Sequence, residues 1–121
     1  MKAINNILTY RRLDNGILVS FNYMSKLSVI NANQVEEELL QLIKNGENSV
    51  FLDFSNIEFI DTAGFHALLS VQIDSKLNGL KFMIINISNE LMDLFKLVKL
   101  DNVFELRKKA DQSYDRLKEA S

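Results

Sequence analysis

The sequence predicts an α/β fold with a mixed, mostly parallel sheet, helices packed on its faces and an N-terminal β-hairpin. Short apolar runs rich in strand-forming residues alternate with longer stretches of helical periodicity, in the order ββαβαβαβα. This alternation implies right-handed crossovers between parallel strands. A chain of 121 residues fits one domain, so residues 1–121 are expected to form a single unit.

An antiparallel hairpin is predicted at the start of the chain. Residues 4–12 and 16–22 show partial alternation of apolar and polar side chains. Between them lie Asn15 and Gly16, a dipeptide that favours a tight turn. Residues 23–30 are expected to be irregular, because two serines and a lysine interrupt any period.

The first helix is predicted to end near Gly46. Asn31 or Asn33 is expected to cap it, and Glu36 to Glu38 are expected to place negative charge in its first turns. Its apolar residues recur at helical spacing: Val35, Leu39, Leu42 and Ile43.

Residues 49–79 form the stretch around which the chain is organised. An apolar run at residues 50–54 predicts a strand covered on both faces. After a connector, Asp61 is predicted to cap a helix over residues 62–77, because a short carboxylate accepts bonds from the free N–H groups of a first turn. Residues spaced by four form an apolar stripe on this helix: Phe65, Leu69, Ile73 and Leu77. Further apolar residues widen this surface, so either a broadly buried helix or a docking face accounts for it.

Two strands and two helices complete the predicted fold. Residues 80–86 read as a buried strand, and Ser88 is expected to cap a helix with apolar residues at 91, 94, 95 and 98. A short strand is predicted over residues 102–106, and a closing helix over residues 108–120.

Residues for catalysis or metal binding are scarce. The chain has no cysteine and one histidine, His66, which is expected to be partly buried and hydrogen-bonded rather than a general base. Nucleophile elbows, phosphate-cradling glycine loops and metal-ligand spacings are all missing from the sequence. The sequence therefore predicts a protein that is not an enzyme and needs no metal or cofactor.

Composition predicts a globular protein in the cytoplasm. Apolar residues make up 47% of the chain and charged residues 25%, with a net charge of -2, so nothing favours nucleic-acid binding. Neither a signal-peptide pattern nor an apolar run long enough to span a membrane is found.

Residues 51–106 resemble the STAS domain, the module of bacterial anti-sigma factor antagonists. The resemblance rests on the ordered pattern of strand, connector, signature turn, helix, glycine, apolar strand and helix, with Asp61, Thr62, Ala63 and Gly64 at the signature. It implies a protein-binding regulator whose partner is an anti-sigma factor that is also a GHKL-type serine kinase. Phosphorylation at the signature is implied to break that complex.

The signature departs from the family pattern at one position. The usual phosphoacceptor falls on Ala63, which cannot accept phosphate, whereas Thr62 matches the first hydroxyl position. Resemblance to stressosome-type STAS proteins makes Thr62 the phosphorylation candidate. Two alternatives stay open: a Thr62 hydroxyl that only bonds backbone at the helix start, and an antagonist that is always competent to bind.

The predicted partner-binding residues are those of the helix start: Asp61, Thr62, Ala63, Gly64, Phe65 and His66. Three alternative roles follow from the resemblance or from the helix start. The chain could be a STAS subunit that meets the ATPase of a phospholipid ABC transporter, a stressosome-type scaffold, or a small enzyme or nucleotide binder that uses the helix N-terminus as an anion site.

Overall fold

The computed structural model describes residues 7–109, which form a five-stranded sheet, a two-stranded sheet and three helices. The strands are β1 (Leu8–Leu13), β2 (Gly16–Phe21), β3 (Lys26–Leu27), β4 (Ser49–Asp53), β5 (Phe59–Ile60), β6 (Lys81–Ile87) and β7 (Glu105–Lys108). The helices are α1 (Ala32–Lys44), α2 (Thr62–Leu77) and α3 (Asn89–Leu97).

The large sheet has the strand order β1-β2-β4-β6-β7. β1 and β2 pair antiparallel across a turn at Asp14 and Asn15, after which Gly16 begins β2, and every other pair in this sheet is parallel. The predicted opening hairpin and mostly parallel sheet are therefore confirmed. Because the parallel strands follow one another in a single direction, right-handed crossovers place α1, α2 and α3 on the same face.

Burial along β4 shows how that one face is covered. Val50 and Leu52 are buried, whereas Phe51 is partly exposed. Phe51 lies on the other face, in register with Leu18 and Met83, so apolar neighbours shield it from the side. The prediction of a strand covered on both faces is wrong, because only one face of β4 is buried and Phe51 on the other face stays partly exposed.

The core lies between the sheet and the helix layer. Val19, Leu52 and Ile84 sit side by side on adjacent strands and are fully buried. Each helix adds at least one fully buried side chain to the same cluster: Leu39, Leu68 and Phe95. This packing holds the start of α2 at the carboxyl edge of the sheet.

The small sheet was not predicted from the sequence. Residues 23–30 and the connector before Asp61 were expected to be irregular, yet β3 pairs parallel with β5. Strands of two residues are too short to show an alternating pattern, which explains why they were missed. Leu27 and Ile60 are buried, so this small sheet extends the core towards the start of α2.

α2 buries a different face from the predicted stripe. The buried residues are Gly64, Phe65, Ala67, Leu68, Val71, Gln72 and Ser75. Ile73 and Leu77 are exposed, so half of the four-residue stripe points outwards. An α-helix advances about 100° per residue, so each step of four drifts by about 40° and carries Leu77 away from the side of Phe65.

The ends of the other elements match the predictions in part. The Ser88 side chain accepts a hydrogen bond from the Leu91 N–H at 3.1 Å, which confirms the cap of α3. Asn31 precedes α1, but its side chain accepts a hydrogen bond from the Ser28 N–H instead of from an N–H group of the helix, and no acidic residue lies in the first turn of α1.

The last strand begins at Glu105 rather than near residue 102, because its parallel pairing with β6 starts there. The closing helix was predicted to start at residue 108, but Lys108 is the last residue of β7, and the predicted helix from residue 110 onwards lies outside the described residues.

Candidate functional site

Asp61 joins the start of α2 to the loop before α1. Its Oδ1 atom accepts a hydrogen bond from the Gly64 N–H at 2.9 Å, and its Oδ2 atom accepts one from the Val29 N–H at 3.0 Å. The predicted N-cap is therefore confirmed. These bonds, that from Gly64 first, lower the pKa of the Asp61 carboxyl, because they favour its charged form.

Gly64 lets the backbone of β3 approach α2. A Cβ atom at this position would lie 2.5 Å from the Leu27 carbonyl oxygen and 2.7 Å from the Ile60 Cγ2 atom. The same Leu27 carbonyl accepts a hydrogen bond from the Asp61 N–H at 3.2 Å. Glycine is needed here because the chain's own backbone occupies the space.

Thr62 is the first residue of α2 and is exposed. Its hydroxyl makes no hydrogen bond within residues 7–109, since Asp61 supplies the cap. Ala63, the next residue, is partly buried. The backbone-bonded alternative for the Thr62 hydroxyl therefore has no contact to support it in the described part of the chain.

His66 is exposed, which contradicts the expectation of a partly buried histidine. It lies four positions after Thr62, about one helical turn, so both are on the outward side of α2. A helix whose inner side is already filled by neighbouring apolar residues leaves this position to solvent.

The Phe65 side chain packs in the core and so supports the first turn of α2. Its ring packs edge-on against Phe95, with the ring centroids 5.1 Å apart and an angle of 78° between the planes. Phe65 and Gly64 are both buried, whereas Thr62 and His66 are exposed. Partner contact stays a prediction for all six residues of the helix start, and burial limits what Gly64 and Phe65 present at the surface.

Exposed apolar side chains beside Asp61 were not singled out from the sequence. Val29 is 74% exposed, Ile30 91% and Phe59 48%. Val29 is hydrogen-bonded to Asp61, Ile30 follows Val29, and Phe59 precedes Asp61 by two positions; together with Thr62 we call these residues the α2 rim. The signal was the Val29-Ile30 pair, two consecutive apolar residues in an otherwise polar segment, whose exposure no periodic pattern could reveal.

The loop that carries Val29 and Ile30 is held in place by hydrogen bonds. The Asn31 side chain accepts from the Ser28 N–H at 2.9 Å and donates to the Lys26 carbonyl oxygen at 2.8 Å. The Asp61 bond to Val29 fixes its other side. The apolar side chains of the α2 rim are thus exposed on a well-supported backbone, which lowers the entropy that binding would cost.

The described residues offer binding surface rather than a cluster of metal-ligating groups. Among residues 7–109, no three histidine or carboxylate side chains are grouped so that they could hold a metal ion. Over the same range, none of the helices combines the length and the apolar character that crossing a membrane requires.

A sheet with one antiparallel edge hairpin, helices on one face and a carboxylate-capped helix at the carboxyl edge defines a small class of α/β domains. The STAS domain model matches residues 11–119 of this chain. The chain belongs to the STAS domain family.

Solved structures with the same fold include regulators and a transporter-family protein. An anti-sigma-factor antagonist (STAS) domain protein from Planctomyces limnophilus matches with a TM-score of 0.75 and 15% identity, over 94% of this chain and 98% of that one. The Bacillus cell fate determinant SpoIIAA in its phosphorylated form gives 0.62 and 12%, over 94% and 99%. A sulfate transporter family protein from Wolinella succinogenes gives 0.67 and 16%, over 86% and 87%. At these identities the similarity shows the fold.

Proposed function

We propose that this chain is a cytoplasmic, non-enzymatic regulator of the anti-sigma factor antagonist type. Its α2 rim binds an anti-sigma factor that is also a GHKL-type serine kinase, and phosphorylation of Thr62 weakens the complex. The family and the likeness to SpoIIAA in its phosphorylated form support this role.

The observation that carries the proposal is the exposed Thr62, whose hydroxyl has no hydrogen bond within residues 7–109 and which directly follows Asp61, the residue that binds the Val29 N–H. A phosphoryl group would add about -1.5 to -2 charges at neutral pH. On Thr62 that charge would lie next to the Asp61 carboxylate and among apolar side chains. Burying this charge against a partner would weaken binding, because of electrostatic repulsion and because the phosphoryl group would lose its hydration.

Binding is tested with the purified chain and each GHKL-type serine kinase of the source organism, by isothermal titration calorimetry. One kinase is expected to bind, with negative heat-capacity change from burial of the α2 rim. If none of these kinases binds, the proposed partner class is wrong.

The switch is tested by incubating the binding kinase with ATP and measuring the intact mass of the chain. Wild type is expected to gain one phosphoryl group, Thr62→Ser to gain one as well, and Thr62→Val to gain none. Phosphorylation of Thr62→Val would place the acceptor elsewhere. Binding without any phosphorylation would leave an antagonist that is always competent to bind.

A second candidate role is regulation of a transport complex, which the likeness to the Wolinella succinogenes protein favours. In this role the α2 rim would meet the ATPase subunit of an ABC transporter. A tagged chain would then co-purify from native membranes with that subunit, and the Thr62→Glu variant would lose it. Calorimetry with the GHKL-type kinases would give no heat, which separates the two roles.

A further inference from the structure

α2 exposes two apolar residues, Ile73 and Leu77, on the outward side of its second half, whereas Leu69 on the same side is partly buried against the core. Residues at successive steps of four, three, four and four share this side: Thr62, His66, Leu69, Ile73 and Leu77. We call them the outer stripe. Ile73 is 58% exposed and Leu77 is 78% exposed, although the inward side of α2 is fully packed. The outer stripe begins at Thr62, which also belongs to the α2 rim, so the two surfaces share that residue.

A groove of about 720 Å³ lies between α1 and α2, next to the outer stripe. Its lining residues are Glu36, Glu37, Leu40, Gln41, Lys44, Ser70, Ile73 and Asp74. Leu40 and Ile73 supply its apolar surface. The lining carries three carboxylates, those of Glu36, Glu37 and Asp74, and one ammonium group, that of Lys44. Within residues 7–109 none of the three carboxylates forms an ion pair. The groove is therefore both apolar and acidic.

We propose that this groove and the outer stripe bind a basic amphipathic helix of the partner protein. The inference rests on the proposed function, because it extends the same contact surface from the α2 rim along α2. A helix laid between two helices packs its side chains into their groove at axis distances of about 8–10 Å. Its apolar side chains cover Ile73 and Leu77, and its lysine or arginine side chains meet Glu36, Glu37 and Asp74.

Charge argues against a second copy of this chain as the occupant. In a two-fold contact the same patch meets itself, so the carboxylates of one groove would face those of the other. Like charges brought together at an interface cost several kcal/mol in general, which disfavours that arrangement. A basic partner helix removes this repulsion.

The test compares the affinities of a double variant of the outer stripe and of a control variant at an exposed leucine elsewhere. Both affinities are measured by calorimetry with the kinase that binds wild type. Leu77→Ser, combined with Ile73→Ser, removes the two exposed apolar side chains of the outer stripe. Leu97→Ser is the matched control, since Leu97 is 77% exposed at the end of α3, away from the groove. The double variant is expected to bind at least about tenfold more weakly, and the control is expected to bind within about twofold of wild type.

The charge part is tested with Glu36→Lys combined with Glu37→Lys. This variant is expected to bind more weakly, with a smaller dependence of affinity on salt concentration, because attraction between opposite charges is screened by ions. Circular dichroism verifies that each variant is folded.

The inference and the proposed function fail in different ways. If Thr62→Glu abolishes kinase binding while the Ile73/Leu77 double variant binds as wild type does, the groove is not a docking site and the proposed function stands. If sedimentation shows a dimer of the free chain that the double variant abolishes, the occupant is a second copy.

If no kinase binds, the proposed function fails. A peptide titration then tests whether the groove binds a basic amphipathic helix. An 18-residue amphipathic peptide of leucine and lysine is added to the 15N-labelled chain and followed by NMR. Amide shifts are expected on the facing sides of α1 and α2, and a leucine–glutamate peptide of the same pattern is expected to cause none. Shifts elsewhere, or equal shifts with both peptides, would overturn the inference.

Discussion

Replacing Gly64 with alanine tests how the start of α2 is held. The new Cβ atom would lie 2.5 Å from the Leu27 carbonyl oxygen and 2.7 Å from the Ile60 Cγ2 atom. Real Cβ contacts do not occur at such distances, so either β3 or the first turn of α2 must move. The carbonyl belongs to the backbone and already accepts a hydrogen bond from Asp61, so movement would disturb that bond too.

Two opposing effects set the size of the change. Overpacking costs about 1–3 kcal/mol when the neighbours cannot adjust easily. Alanine favours a helix over glycine by about 1 kcal/mol, which offsets part of that cost. We expect Gly64→Ala to lower the free energy of unfolding by about 1–2 kcal/mol, because a backbone oxygen yields less readily than a flexible side chain.

Urea denaturation followed by circular dichroism measures this change. The midpoint is expected to fall by about 1 M with an unchanged slope, given slopes of about 1–3 kcal/mol per M for small domains. Ser70→Ala on the outer part of the same helix is the control, and it is expected to raise stability by about 0.5 kcal/mol through helix propensity. A Gly64→Ala midpoint at or above that of wild type would refute the steric argument.

Two further predictions concern titrating side chains. Partial burial and then the hydrogen bond to Glu38 raise the pKa of Tyr10 above its usual 10.0, so the stability that this group contributes is lost as the pH rises above about 10. Tyr10→Phe is expected to cost at most about 1 kcal/mol at neutral pH and to show a smaller loss of stability in alkaline urea titrations; an equal alkaline loss in both proteins would contradict this. The pKa of Asp61 lies below its usual 3.8, so its contribution is present above that pH and is lost as the pH falls below it. Asp61→Ala is expected to lower the urea midpoint at pH 7 and to flatten the decline of the midpoint below pH 4, and an unchanged acid decline would show that the Gly64 and Val29 bonds are not responsible.

Sequence patterns identified the elements that are set by local chemistry. The hairpin turn just before Gly16 and the caps at Asp61 and Ser88 each depend on one or two residues whose conformational preferences are strong. For that reason the hairpin and the starts of α2 and α3 were predicted close to their observed places.

Features set by distant contacts could not be predicted. The pairing of β3 with β5 depends on Leu27 and Ile60, which are 33 positions apart and lie in segments without a period. α2 is apolar on nearly every side, so its pattern did not show that His66 and Leu77 face outwards. Which backbone approaches Gly64 likewise became visible only in the folded chain, where it is that of Leu27.

The candidate site was found in part. The signature at residues 61–64 identified the helix start, but the exposed side chains of Val29, Ile30 and Phe59 became visible only in the folded chain. Exposure of apolar residues runs against the general tendency of such residues to be buried, so a pattern that assumes burial misses a docking surface.

The most direct measurement compares kinase affinity for wild type and Thr62→Glu by isothermal titration calorimetry. Asn48→Glu is the control, because it adds the same charge at an exposed position before β4, at the opposite edge of the sheet. If the α2 rim is the contact surface, Thr62→Glu is expected to bind at least about a hundredfold more weakly, and Asn48→Glu to bind as wild type does. Equal affinity of wild type and Thr62→Glu for a kinase that does bind would contradict the account.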